Sequence, residues 1–97
     1  MEKTIPDSIR IVGSEYKVVH DDMLHTVGSL WDVGNTNHWR QEIRLDSTSQ
    51  INDDLRWEVL LHEALHVISI RMGLELHESQ VSGLSHGLHE LLPQIIR

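Results

Sequence analysis

The stretch Leu60-Leu61-His62-Glu63-Ala64-Leu65-His66-Val67-Ile68 restricts this chain more tightly than any other, because it sets His-Glu-x-x-His inside an apolar run. Residues four apart on an α-helix share a face. His62 and His66 can therefore each turn one imidazole nitrogen to the same metal ion, and Zn²⁺ is the usual occupant of such a pair. Glu63 points about a third of a turn away, too far round for a third ligand but within reach of a water on the metal. A carboxylate there can take a proton from a water whose pKa the metal lowers towards roughly 7. The pattern predicts two ligands and one general base, the division of labour of a zinc-dependent hydrolase, with a peptidase expected.

The neighbouring residues bear on the alternative, two histidines merely hydrogen-bonded in a core. The chain has 8 histidines, so the motif can arise by chance. As a helix, however, the segment lines up Leu55, Val59, His62 and His66, with Leu60, Leu61, Ala64, Leu65, Ile68 and Met72 on its other sides. A helix apolar nearly all round is expected to be buried. Unpartnered polar groups there cost about 1–3 kcal/mol each, and one metal ion satisfies both rings.

A length of 97 residues suits one domain, 1–97, with a core small enough for a bound metal to add stability. The absence of cysteine excludes disulfides, thiolate zinc sites and cysteine nucleophiles. Met1 to Asp7 shows no signal pattern, and no apolar run approaches the ~20 residues that span a bilayer. With a formal net charge of −7 and 8 scattered Lys and Arg, a nucleic-acid partner is not expected. The expectation is a cytoplasmic protein with no membrane partner.

Along the chain, residues 8–20 read as a hairpin, with Ile9, Ile11, Tyr16 and Val18 as strand formers and Gly13-Ser14 as the turn. Asp21, Asp22, His25 and Gly28 mark a loop or short irregular helix, and no spacing there supports a second metal site with His20. Leu30-Trp31-Asp32-Val33 is a candidate strand ended by the breaker cluster Gly34-Asn35-Thr36-Asn37. Ile43 and Leu45 alternate with Glu42, Arg44 and Asp46, predicting a half-exposed strand at a sheet edge. Such an edge can hold an extended peptide or simply be protected by charge. A long helix is expected from Asn52 or Asp53 to Met72, stopped by Gly73. A second should run from Glu78 to Leu92, stopped by Pro93, with Val81, Leu84, Leu88, Leu91 and Leu92 facing the core.

Leu60-Leu61-His62-Glu63-Ala64-Leu65-His66, then Gly73-Leu74-Glu75-Leu76, then Glu78-Ser79-Gln80-Val81 with Leu84-Ser85-x-Gly87-Leu88, resembles the minimal zinc-metallopeptidase-like proteins of phage and prophage genomes. The hairpin and Ile43-Arg44-Leu45-Asp46 fit that likeness, which covers nearly the whole chain. It implies a small α+β, zincin-like domain: an antiparallel sheet of three or four strands packed on the metal helix, then a C-terminal helix. It also suggests kinship with metallopeptidases that cut phage repressors.

A catalytic zinc site usually takes three protein ligands and a water. The second helix offers Glu78, His86 and His89. Glu78 lies on the flank of the apolar stripe, and the family likeness matches it. His86 lies nearly opposite, beside Gly83 and Gly87. Axial level favours His86, because in an antiparallel pair residues 84–86 should lie alongside His66 and Glu78 about 10 Å beyond. Glu78 is preferred and His86 is the runner-up, with His77 and His89 expected at a helix end and on the surface. Two functions follow. One is a metallopeptidase acting on a protein or peptide, with Zn²⁺ on His62, His66 and Glu78 and with Glu63 as general base. The other is a non-catalytic, zinc-stabilised phage accessory module that binds a host or phage protein through its acidic surface. An open fourth metal position beside Glu63 distinguishes the first from the second.

Overall fold

The structure is a computed structural model and describes residues 5–21, 34–46 and 52–96. Four strands, β1 (Ser8–Ile11), β2 (Ser14–Asp21), β3 (Gly34–Asn37) and β4 (Glu42–Asp46), precede two helices, α1 (Asp53–Met72) and α2 (Glu78–Ile95). The expected α+β layout is present, with the sheet lying against α1 and α2 following it.

β1 and β2 form the predicted hairpin, but Ile11 pairs with Ser14, so the turn is Val12-Gly13 rather than Gly13-Ser14. Of the two-residue hairpin loops that match the strand twist, the type I′ turn has positive φ at both central positions. Gly13 accepts this freely at φ 80, and Val12 is held there at φ 47. That register turns Ile11, Tyr16 and Val18 to one face, where all three are buried.

The sheet order is β1-β2-β4-β3. β4 is thus an inner strand, parallel to β2 (Val18 opposite Ile43) and antiparallel to β3 (Thr36 opposite Ile43). Two expectations change. The sheet is mixed rather than wholly antiparallel, and Glu42–Asp46 is not an edge. The alternation in β4 reports the two faces of the sheet, not its rim: Ile43 and Leu45 are fully buried against α1. On the opposite face Arg44 is braced by Asp21 (3.0 Å) and Glu42 (3.5 Å). The true edge beside β4 is Gly34-Asn35-Thr36-Asn37, expected to be a breaker. Its backbone pairs with β4, and Asn37 Oδ1 accepts from the Trp39 and Arg40 N–H groups to shape the following turn. The candidate strand at Leu30–Val33, with Asp22, His25 and Gly28, lies outside the described residues.

α1 has the predicted ends. Asn52 caps it by accepting from Leu55 N–H at 2.8 Å, with Asp53 and Asp54 in the first turn at the positive end of the helix dipole. Gly73, at φ 67, closes it in the left-handed conformation. Burial is not all round. Val59, Leu60, Glu63 and Val67 face the sheet, whereas Leu55, Ile70 and Met72 are exposed.

α2 departs from its predicted stripe. Val81 and Ser85 are its buried residues, while Leu84 and Leu91 are nearly half exposed. Ser85 is small enough to let the two helices approach, and its hydroxyl is satisfied by the Ser82 carbonyl at 3.0 Å. Pro93 does not stop the helix, which runs to Ile95. A proline interrupts the ladder by lacking one donor. Here that loss falls in the exposed last turn, where Ile96 N–H still reaches the Leu92 carbonyl at 2.8 Å. Among the described residues no helix is long and apolar enough to cross a membrane.

Candidate metal centre

His62 and His66, one turn apart on α1, lie edge to face with their Nε2 atoms 3.2 Å apart. Both are partly buried. The Glu78 carboxylate spans them, with Oε1 2.7 Å from His62 Nε2 and Oε2 2.8 Å from His66 Nε2. Glu78 is the first residue of α2, and the connection ahead of it explains how it reaches the pair. After Gly73 turns the chain, Leu74 N–H donates to the Ser69 carbonyl and Leu76 N–H to Ser69 Oγ, both at 2.9 Å. Glu75, at φ 55, makes the second left-handed turn. Gln80 then reaches back to the His77 N–H at 2.8 Å and fixes the start of α2.

The expected axial offset of Glu78 therefore does not arise. The connection doubles back onto Ser69, so α2 begins level with His66 rather than beyond Gly73. Residues 84–86 lie alongside the first half of α1 instead. His86 Nδ1 sits 3.0 Å from Glu58 Oε1, and the ring is 76 % exposed. An added Cβ at Gly83 or Gly87 would meet nothing within 4 Å, so among the described residues no close element shields that face. His89 is not part of the cluster.

The three donors fit a metal ion. All lie within 4.8 Å of one another, and among the described residues they are the one such group of His, Asp and Glu. Two ligands about 2.0–2.1 Å from one tetrahedral zinc lie about 3.3–3.4 Å apart, against 3.2 Å between the two Nε2 atoms. The shorter nitrogen–oxygen contacts, 2.7 and 2.8 Å, are hydrogen-bond lengths. Turning the lone pairs to an ion needs the carboxylate to withdraw by about half an ångström. Glu78 can do so, since its side chain is 68 % exposed. Two nitrogens and a carboxylate oxygen suit Zn²⁺ among several divalent metals.

Glu63 is not one of the three donors. It lies on the sheet-facing side of α1, only 9 % exposed, and its Oε1 accepts from Thr36 Oγ1 at 2.7 Å. That strand can come so close because Gly34, two residues earlier on the same face, has no side chain. A Cβ there would stand 2.3 Å from Val59 Cγ1 and 3.5 Å from Glu63 Cγ. Gly34, Thr36 and Ser69 are the residues that motif-reading passes over. The signal for the first two is a period-2 pattern, since 34 and 36 face inward while 35 and 37 are exposed.

No family model, curated protein or solved structure matches the chain.

Proposed function

We propose that this protein is a zinc-dependent metallopeptidase, of the kind found among the minimal metallopeptidase-like proteins of phage genomes whose motifs it resembles. The observation that carries the proposal is the separation of roles. Three donors from two helices converge, while the adjacent Glu63 is outside that group and is tied by Thr36 to the neighbouring strand. The group holds no fourth protein donor among the described residues, which suits a catalytic zinc site of three protein ligands and a water. That favours catalysis over the non-catalytic binding module.

His62, His66 and Glu78 would hold the metal. A bound Zn²⁺ supplies a Lewis acid for the scissile carbonyl and acidifies the attacking water. Glu63 takes the proton of that water and delivers it to the departing amine, a role worth about 10²–10⁴-fold in rate. Its burial keeps competing solvent from one side of the carboxylate, and the Thr36 bond leaves Oε2 as the free oxygen for the proton.

The test is Glu63→Gln, which preserves shape and removes the base. We expect about one zinc ion per chain in both proteins and loss of at least a hundredfold in hydrolysis of an unfolded protein substrate such as casein. Full activity in the variant would exclude the assigned role. A parent protein that binds zinc and cuts no peptide would favour the binding module.

A further inference from the structure

The geometry points to Thr36 as the positioning residue for Glu63, its hydroxyl fixing which carboxylate oxygen is tied to the sheet and which is left for the reaction. The inference rests on the metallopeptidase proposal above. A glutamate has three rotatable side-chain bonds, and on a helix facing a cleft it can swing its carboxylate through several positions. A general base must instead sit within hydrogen-bond reach of one proton. Thr36 removes that freedom. Its Oγ1–H donates to Glu63 Oε1 at 2.7 Å, the length of a hydrogen bond to a charged oxygen.

The donor is itself well fixed. Thr36 stands opposite Ile43 of the inner strand, and Ile43 is fully buried. A β-branched side chain has few rotamers, so the hydroxyl follows the strand. Gly34 sets the distance, because any larger residue would meet Val59 and push β3 off α1. The two residues act as spacer and anchor. The Thr36 hydroxyl bonds to Glu63 and not to His62, His66 or Glu78, so it acts through Glu63.

Two variants separate positioning from mere packing. Thr36→Val keeps the shape and removes the donor, while Thr36→Ser keeps the donor. The probe is acetohydroxamic acid titrated into the zinc-loaded full chain by calorimetry, since its hydroxyl must meet the carboxylate beside the metal. We expect Thr36→Val to retain about one zinc ion per chain and to bind the hydroxamate about ten- to a hundredfold more weakly. Thr36→Ser should recover to within about threefold. On a peptide substrate the Val variant should lose kcat with KM little changed. Equal hydroxamate affinity in parent and Thr36→Val overturns the proposal, as does a Ser variant as weak as the Val one. A parent that holds zinc but binds no hydroxamate overturns it too. Hydroxamate bound by the parent without any peptide hydrolysis refutes the peptidase proposal but leaves the positioning intact. Should Thr36→Val fail to fold, NMR of the unaltered protein decides. A slowly exchanging Thr36 hydroxyl proton with a cross-peak to the Glu63 side chain supports the bond, and its absence overturns it.

Discussion

Replacing Gly34 by alanine puts a methyl carbon 2.3 Å from Val59 Cγ1 and 3.3 Å from the Arg44 carbonyl oxygen. Carbon atoms rest about 3.5–4.0 Å apart, so one partner must yield by more than an ångström. Val59 has little room, being 8 % exposed and β-branched on a helix, where about one χ1 rotamer is favoured. Arg44 belongs to the inner strand. The displacement therefore falls on β3, and such overpacking costs about 1–3 kcal/mol. In a domain of this size each kcal/mol lowers Tm by about 4–8 °C, so a fall of about 5–20 °C is expected. Thermal unfolding followed by circular dichroism in chelator reads this without any activity assay. Val59→Ala removes the colliding methyl but is destabilising alone, because it leaves a cavity. The double variant is the sharper measurement: because alanine at 59 relieves the collision, its loss of stability should fall short of the sum of the two single losses by about 1 kcal/mol or more. An unchanged Tm in Gly34→Ala, or strict additivity in the double variant, would refute the close approach of β3 to α1.

Glu78→Ala should lose most of its zinc while His86→Ala keeps about one ion per chain, and equal retention by metal analysis would remove both from the ligand set. Chelation should lower Tm clearly, since a metal that binds only the folded state adds about 4 kcal/mol at a thousandfold excess over Kd; identical melting with and without chelator would exclude that linkage. Ser69→Ala leaves the Leu76 N–H without its partner, which should cost about 1 kcal/mol and weaken zinc binding by loosening Glu78. A calorimetric zinc titration unchanged from the parent would show that the bond does not hold the connection.

What could be read from sequence divides by range. α1 was legible to its last residue because its signals are local: Asn52 accepts from Leu55, and Gly73 bonds back to Ile70. Glu78 was legible as a candidate ligand, yet its level beside His66 was not. A helical rise predicts a straight departure, and the doubling-back depends on the Ser69 hydroxyl seven residues before Leu76. The sheet order was illegible, because pairing β2 with β4 joins segments far apart in the chain, and an inner strand and a charged edge share the same period-2 pattern. Gly34–Asn37 carries the composition of a turn, and only its partner β4 makes it a strand. The apolar stripe on α2 was misread at Leu84 and Leu91 for a related reason, while Val81 is buried as expected. Ser85 is buried while two leucines are half exposed, because the contact with α1 follows the small residue that permits approach.

The donors at 62, 66 and 78 sit within one helical hairpin, whereas the Glu63–Thr36 contact joins residues 27 apart across the β-α boundary. Closing a short loop is entropically cheap, and the cost rises with the length of chain enclosed. On the proposed reading, capturing an ion would thus be a local event in this fold, and aiming Glu63 a global one. Loosening the sheet would then blunt Glu63 first and leave the donors in their hairpin, so the proposed enzyme could carry full zinc and still be largely inactive. Metal stoichiometry would count folded hairpins, and only binding of the hydroxamate would count assembled sites.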